Sequence, residues 1–184
     1  MDTAPQNAGL TLLPLARQSI DLALRGGDGV IPDELPWLRL PGACRVSLTL
    51  AGSNRGTALS HAPSRPLGED VAANAVAAAL RDPRHAPLSL AELSSVALEV
   101  ALFAQWTRIA EGSEAAMLAQ LRPGEDAVFF RYGRHRSMFL PEQWSQYAQP
   151  DEFIAHLKYR AGLPPDFWDT GIELARSRVD VWHE

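Results

Sequence analysis

The sequence predicts an α+β fold with a single domain. Amphipathic helix patterns and alternating strand patterns both occur, but they do not follow one another regularly, as they do in a doubly wound sheet. No segment repeats at a fixed period, which argues against a solenoid or a propeller. A chain of 184 residues is long enough to bury one good core and short for two.

The first predicted element is a helix near the amino terminus. Its apolar residues recur at helical spacing, at Leu13, Ala16, Ile20 and Leu24. Thr11 is a candidate cap, Pro14 suits the first turn, and Gly26-Gly27 marks the end. We expect residues 1–9, which precede this helix, to be disordered, and residues 10–184 to form the domain.

A Pro-rich stretch around Pro32, Pro36 and Pro41 leads into "CRVSLTL", residues 44–50, whose alternation predicts a half-buried strand. The next segment, "AGSNRGTALS", spans residues 51–60 and predicts a polar loop at the end of that strand. It places the Arg55 cation beside Gly56, a residue that lets another backbone approach closely.

The middle of the chain predicts a helix, a turn and a strand. "GEDVAANAVAAALRDP" has Glu69 and Asp70 suited to the first turn, a narrow face of small residues, and Asp82-Pro83 as its end. Ser89 and Glu92 have the spacing of a capping box. Residues 96–103, "VALEVALF", alternate as a strand, and Glu99 lies on its more polar face.

The second half predicts a helix, a hairpin and a last helix. "SEAAMLAQL" is helical and ends before Pro123-Gly124. "AVFFRYGRHRSMFLP" predicts two strands that meet at a turn near residues 132–134. The last helix carries Asp151 and Glu152 in its first turn and ends at Gly162.

Composition narrows the classes of function. The net charge of -5 argues against a protein whose whole surface binds nucleic acid, because phosphate binding needs a cationic surface. Cys44 is the only cysteine, which excludes an intrachain disulfide and a Cys-based zinc site and favours a reducing compartment. No apolar run reaches membrane-spanning length, and Met1 to Gly9 lack a signal pattern, so we expect a soluble cytoplasmic protein without membrane contact.

Several stretches together resemble one family. "EDVAANAVAAALRDPRHAPLSLAELSSVALEVALF", "LAQLRPGEDAVFF", "MFLPEQW" and "FIAHLKYRAGLPPDFW" are similar, in this order, to successive motifs of the AMMECR-domain family. The resemblance runs from about Leu12 to about Val181. It implies a two-lobed domain with a mixed sheet and flanking helices.

The resemblance also implies partners, since bacterial members of the family are named protein A of the AmmeMemoRadiSam system. We therefore expect Memo-like and radical-SAM proteins as partners. The family has no established reaction, and its suggested links to RNA or nucleotide modification remain suggestions.

One motif departs from the family pattern. Its Leu-Arg-Gly-Cys-Ile-Gly signature is replaced here by residues 54–59, Asn-Arg-Gly-Thr-Ala-Leu, so only Arg55-Gly56 is kept. Thr57 stands in the place of the cysteine. A hydroxyl cannot simply replace a thiolate, because it does not ionise near neutral pH without a strong base. The chain is identified as a divergent member that lacks the signature cysteine.

Two alternatives are open for each polar residue of this segment. Thr57 can be a nucleophile with His61 as its base, or a hydroxyl that satisfies a turn. Arg55 can bind an anion in a cleft, or it can pair with Glu99 or Asp82 as a brace, which we favour. Cys44 lies on the apolar face of its strand and is expected to be an inert, buried thiol.

The remaining candidates are weaker. The five histidines show no metal-ligand spacing, so we expect no bound catalytic metal, and we assign no cofactor. Arg131, Arg134, His135 and Arg136 cluster at the predicted hairpin turn and can contact phosphates, although a solvated turn is the favoured interpretation. The five tryptophans can stack on bases, but they are more typical of core packing.

Two classes of function are compatible with these observations. The first is a binding or accessory component that presents a cleft or surface to partner proteins, which we favour because the motif cysteine is missing. The second is an enzyme that acts on a nucleotide or a nucleic acid through the cleft around Arg55. Either class is compatible with a small anionic ligand.

Overall fold

The computed structural model describes residues 4–27, 35–147 and 149–184. The chain divides into two compact units, Met1–Leu102 with Asp180–Glu184, and Phe103–Val179. Both contain helices and antiparallel strands, so the expected two-lobed α+β fold is confirmed. Pro32, in the predicted Pro-rich stretch, lies outside the described residues.

The first unit is built on a four-stranded sheet in the order β10-β5-β2-β3. Its strands are β2 (Cys44–Leu50), β3 (Ser53–Leu59), β5 (Val96–Phe103) and β10 (Val179–His183). The predicted strands β2 and β5 are present and pair antiparallel along their length. The short strands β1 (Pro41–Gly42), before β2, and β4 (Arg65–Pro66), after β3, form a separate two-stranded antiparallel pair. Residues Pro36–Arg39 form a 3₁₀ turn.

The segment predicted as a polar loop is mostly a strand, and this expectation was wrong. Ala51 and Gly52 both have positive φ, 49° and 79°, and they form a two-residue hairpin turn between Leu50 and Ser53. Residues with positive φ are what tight hairpin turns between twisted strands require. The chain therefore reverses before the Gly-Ser-Asn run ends, and Arg55, Gly56 and Thr57 lie within β3.

Two helices supply the first unit's core with apolar residues. Helix α1 spans Gly9–Leu24 and α2 spans Leu67–Leu80. The core face of the sheet packs with them through Val46, Leu48, Val100 and other buried residues. Alternation in β2 and β5 placed these residues correctly, since side chains two apart share a face of a strand.

Helix α1 begins two residues before the predicted cap Thr11, so Pro14 lies beyond its first turn. Gly9 packs against Trp182 so closely that a Cβ there would lie 2.4 Å from the indole, which leaves no room for a larger residue at the first position of the helix. Ala8 is buried and residues 6–8 form a turn, so the expected disorder stays a prediction only for residues 1–3, outside the described part.

The second unit contains a second four-stranded sheet in the order β6-β9-β7-β8. Its strands are β6 (Thr107–Arg108), β7 (Ala127–Tyr132), β8 (His135–Phe139) and β9 (Glu173–Ser177). The predicted hairpin β7–β8 is present, with Gly133 at φ 56° in its turn. Helices α3 (Glu114–Leu118) and α4 (Pro150–Arg160) and a 3₁₀ segment, Pro141–Gln146, accompany it.

Sequence analysis missed the strands β9 and β10. Residues 173–183 mix charged and apolar side chains without clean alternation, and their pairing with β7, β6 and β5 is long-range. Every strand pair whose register is described is antiparallel. Within the described residues, no helix is long and apolar enough to cross a membrane.

Candidate functional site

The kept Arg-Gly pair lies on an edge strand beside a helix end. A register shift between Leu48 and Thr49 pairs Leu48 with Gly56 and Thr49 with Asn54, which leaves Arg55 as the extra residue of a β-bulge. A bulge bends its strand and redirects the side chain. Arg55 therefore points away from the regular ladder and meets the segment that follows α2.

Arg55 forms an ion pair with Glu92. Its Nε lies 3.1 Å from Oε1 of Glu92, its Nη2 lies 3.4 Å from Oε2, and its Nη1 donates to the Ala86 carbonyl at 2.9 Å. The Arg55 side chain is only 14% exposed. The predicted partners, Glu99 and Asp82, were wrong, because they hold other cations.

Glu92 is fixed from a second side as well. The predicted capping box is present, since the Ser89 backbone N–H and hydroxyl both donate to Glu92, at 2.9 and 2.8 Å. The Ser89 backbone N–H and the Arg55 guanidinium lower the pKa of Glu92 to about 2. The carboxylate is therefore charged at neutral pH and clamps strand β3 to this turn.

Gly56 brings β3 against the end of α2. A Cβ at this position would lie 2.0 Å from the backbone carbonyl oxygen of Ala78. No side chain fits such a gap. Glycine is therefore required here by close backbone approach, as the sequence suggested, and the neighbour is the protein's own helix.

Thr57 is anchored through its backbone and its hydroxyl. Its N–H donates to Oδ2 of Asp82 at 2.8 Å. Its hydroxyl accepts from the Asn54 amide at 2.9 Å and donates to Ser47 Oγ at 3.4 Å. His61 lies exposed beyond the end of β3. The geometry of Thr57 is therefore that of a hydroxyl whose hydrogen bonds are satisfied within the sheet, while its use as a nucleophile stays a prediction.

Asp82 is a buried carboxylate that joins two segments. It accepts from Nε and Nη2 of Arg84, at 2.9 and 2.6 Å, from the Arg84 backbone N–H, and from Thr57. The side-chain hydrogen bonds of Arg84 hold the pKa of Asp82 well below its usual range. Asp82 thus contacts the motif, but through a backbone amide and not through Arg55.

Glu99 lies across the same sheet in a row of polar side chains. Ser47 pairs with Thr57 on one side and with Glu99 on the other, so the three share one face of the sheet. Glu99 accepts from Nη2 of Arg45 at 2.5 Å and lies 3.3 Å from Nδ1 of His183. We call Thr57, Ser47, Glu99, Arg45 and His183 the polar row.

Sequence analysis missed three members of the polar row and one buried network. Arg45 and Ser47 were visible as the polar positions of β2, but His183 lies on a strand that was not predicted. The buried Asp70 carboxylate accepts from Ser60 Oγ at 2.6 Å, Arg65 Nε at 2.8 Å, the Cys44 N–H at 2.9 Å and the Asn74 amide at 3.1 Å. The spacing of residues 70 and 74 on one helix face was the available signal.

Cys44 is buried within this network. Its side chain is fully covered, and Asn74 Nδ2 lies 3.5 Å from its sulfur. Burial and the nearby Asp70 carboxylate raise the pKa of the thiol. The interpretation of Cys44 as a packed strand residue agrees with this environment.

The basic hairpin of the second unit is only partly free. Arg131 Nη2 donates to both carboxylate oxygens of Glu173, at 2.8 and 2.7 Å, and His135 Nδ1 lies 2.9 Å from the Ala161 carbonyl. Arg134 and Arg136 are exposed and have no partner within residues 4–27, 35–147 and 149–184. In the same ranges, no group of three His, Cys, Asp or Glu side chains is arranged to hold a metal ion.

Comparisons with known proteins give a consistent assignment. The family model AMMECR1 matches residues 13–182. A protein of Methanocaldococcus jannaschii is 32% identical over 66% of this chain and 62% of its own length. A protein of Thermococcus onnurineus is 29% identical over 96% of this chain and 90% of its own.

A solved structure supports the same assignment. The crystal structure of an uncharacterized protein from Pyrococcus horikoshii superposes with a TM-score of 0.87 at 26% identity, and covers 96% of this chain and 91% of the other. The family model covers almost the whole sequence, including both compact units. The chain belongs to the AMMECR1 family.

Proposed function

We propose that this protein is a binding or accessory component of an AmmeMemoRadiSam-type system in the cytoplasm, with Memo-like and radical-SAM proteins as partners. The observation that carries this proposal is the use of the motif's polar groups within the chain. Arg55, the Thr57 N–H and the Thr57 hydroxyl all have partners in the chain. A motif so engaged stabilises the edge of the sheet.

The polar row is the surface that we assign to a partner. Its members Ser47 and Thr57 are half-buried, although they lie on the sheet face opposite the apolar core. Hydroxyls and a paired carboxylate in such a position can exchange hydrogen bonds with a partner's backbone or side chains. Charged and hydroxyl groups at an interface favour a specific over a very tight complex.

The proposal is tested by co-purification. The tagged chain is mixed at tens of micromolar with the Memo-like and radical-SAM proteins of the same genome, and each pair and the three together are run on a sizing column. We expect co-elution with at least one partner, and Ser47→Arg should abolish it because a long cation would project from the polar row.

The matched control is Ser145→Arg, which adds the same side chain at an exposed site of the second unit. Thermal melts of both variants verify that they fold. Separate elution of all three wild-type proteins would overturn the proposed function. Co-elution that Ser47→Arg leaves unchanged would show that another surface binds the partner.

A second candidate is an enzyme that acts on a nucleotide or a nucleic acid. The polar row favours it, since it places two hydroxyls, a carboxylate and an imidazole on one sheet face. That candidate uses the cleft around Arg55 and requires the Arg55 guanidinium to bind an anionic group of the substrate. The pairing of Arg55 with Glu92 counts against it.

A further inference from the structure

A small basic pocket in the second unit has no part in the motif or in the proposed function. Its volume is about 230 Å³, and it is bounded by the end of β5, by β6, by the turn after α3 and by the end of β9. The polar side chains in its lining are Gln105, Thr107, Arg122, Asp126, Arg176 and Arg178.

One guanidinium in this pocket is held in place. Arg176 Nη1 donates to the Gln120 carbonyl at 2.6 Å and lies 3.4 Å from Oδ2 of Asp126. The β6–β9 register sets Arg176 directly opposite Thr107, so the hydroxyl and the guanidinium lie side by side. The fixed contacts engage Nη1, which leaves the other nitrogens of the fork to meet a ligand.

The other two arginines are available. Arg122 is exposed, and its guanidinium has no partner in the described part of the chain. Arg178 lies 3.8 Å from Glu125, beyond hydrogen-bond distance, and both side chains are more than half exposed. Such a pair contributes little and is easily exchanged for a better acceptor.

The charge in the pocket is unbalanced. Three guanidinium groups face one lining carboxylate, Asp126, which also accepts from the Arg122 backbone N–H at 2.8 Å. This local excess of positive charge occurs in a protein whose net charge is -5. Like charges brought together in a concave site repel one another unless an anion enters, so the arrangement favours an anionic ligand.

Geometry narrows the class of anion. Planar guanidinium forks match the oxygen spacing of phosphate better than a single ammonium does, and Thr107 and Gln105 add neutral donors. A volume of about 230 Å³ is below the usual range for drug-sized ligands, which begins at about 300 Å³, so a complete nucleotide would extend outside it. We propose that this pocket binds the phosphoryl group of a small phosphate monoester.

The experiment is isothermal titration of the whole chain at constant ionic strength with inorganic phosphate, ribose 5-phosphate and ribose. We expect binding of both phosphates and none of ribose. Arg122→Gln should weaken binding of ribose 5-phosphate about tenfold, because it removes one charge-assisted hydrogen bond to the phosphate. The exposed Arg122 side chain has no partner in the described residues, and the backbone contacts of residue 122 are kept in the variant.

The matched control is Arg160→Gln, which removes the same charge from an exposed arginine in the last turn of α4, in the same unit. It should bind ribose 5-phosphate like the wild type. If the affinity depended only on the net charge of the protein, both variants would be weakened equally. If the two substitutions weaken binding of ribose 5-phosphate equally, the assignment of this pocket as the phosphate site is wrong. The absence of any phosphate binding by the wild type at millimolar concentration would also overturn that assignment.

A further arm uses a 5′-phosphorylated single-stranded RNA of about ten nucleotides. Binding of this RNA that Arg122→Gln leaves unchanged, without binding of ribose 5-phosphate, would contradict a phosphomonoester pocket and would indicate a nucleic-acid surface elsewhere. Arg178→Gln should add to the effect of Arg122→Gln, and a double variant that binds as well as either single one would argue against a shared ligand. None of these results depends on the partner proteins.

Discussion

Two arginines on neighbouring strands of the first sheet are each held by a glutamate on another segment. Arg45 on β2 bonds to Glu99 on β5, and Arg55 on β3 bonds to Glu92 in the turn before β5. The first pair is diagonal within the ladder, since Arg45 is opposite Ala101 and Glu99 is opposite Ser47. The second joins an edge strand to a loop, so its loss would loosen that edge.

Replacing Arg55 tests whether it is a brace or an anion site. Arg55→Ala should lower the melting temperature by about 3 to 6 °C, since it removes a part-buried cation, its packed stem and the bond to Ala86. Arg55→Lys should recover only part of the loss, because an ammonium cannot reproduce the fork on Glu92. Melts of the three proteins are measured with and without a nucleotide.

The control for this experiment is Arg131→Ala. Arg131 also pairs with a glutamate through two nitrogen–oxygen contacts, but its side chain is 53% exposed, so its removal should change the melting temperature much less. An unchanged melt for Arg55→Ala, together with loss of a ligand-induced rise seen in the wild type, would refute the brace. It would favour the second candidate function, an enzyme that acts on a nucleotide or a nucleic acid.

At the scale of elements, the hairpin β2–β3 shows what local patterns can and cannot predict. Alternation placed β2 and its buried face correctly, because burial on one face of a strand is a two-residue repeat. Strand β3 was missed and predicted as a loop, because Gly-Ser-Asn favours a turn locally whereas the chain has already reversed at Ala51 and Gly52.

Partners across the sheet were also beyond local reasoning. A brace at Arg55 was expected from its own segment, but its partner depends on a bulge and on the position of the 89–95 turn. The spacing of Ser89 and Glu92 predicts a capping box, and Glu92 serves both as its carboxylate and as the partner of Arg55. Registers and bulges follow from tertiary packing, so only the type of interaction was predictable and not the residue.

The contact between β3 and α2 leads to an element-scale prediction. Gly56→Ala should destabilise the protein by roughly 3 kcal/mol or more, because a Cβ 2.0 Å from the Ala78 carbonyl must push a strand away from a helix. The comparison variant is Gly52→Ala, where φ is 79° and nothing lies within 4 Å. There only backbone strain of about 1 to 2 kcal/mol is added. The free energy of unfolding of both variants is measured by chemical denaturation. Equal losses of stability would show that the close approach to Ala78 does not restrict residue 56.

At the scale of the whole molecule, the first unit is formed by two separate segments of the chain. The chain leaves the first unit after β5, forms the second unit, and returns through β10, which neighbours β5 in the same sheet. Sequence analysis predicted the α+β class and most helices, because these depend on local periodicity. The return strand could not be predicted, because its place in the first sheet depends on a neighbour about 80 residues earlier in the chain.

Cys44 provides a probe of the first unit as a whole. The thiol is fully buried among core residues, and burial raises its pKa, so a disulfide reagent needs both an opening of the unit and ionisation of the thiol. In the native protein near neutral pH, labelling should be at least a thousandfold slower than in denaturant, as expected from a stability of about 5 kcal/mol or more.

If the two units unfold together as one domain, Cys44 labelling should begin at the same denaturant concentration at which fluorescence of Trp144 and Trp168 in the second unit changes. A Trp37→Phe, Trp182→Phe background removes the tryptophans of the first unit from that signal and leaves Trp106 with the other two. We expect coincident midpoints. Labelling that is complete within minutes in buffer would contradict the packed thiol, and well-separated midpoints would show two independent folding units in place of one domain.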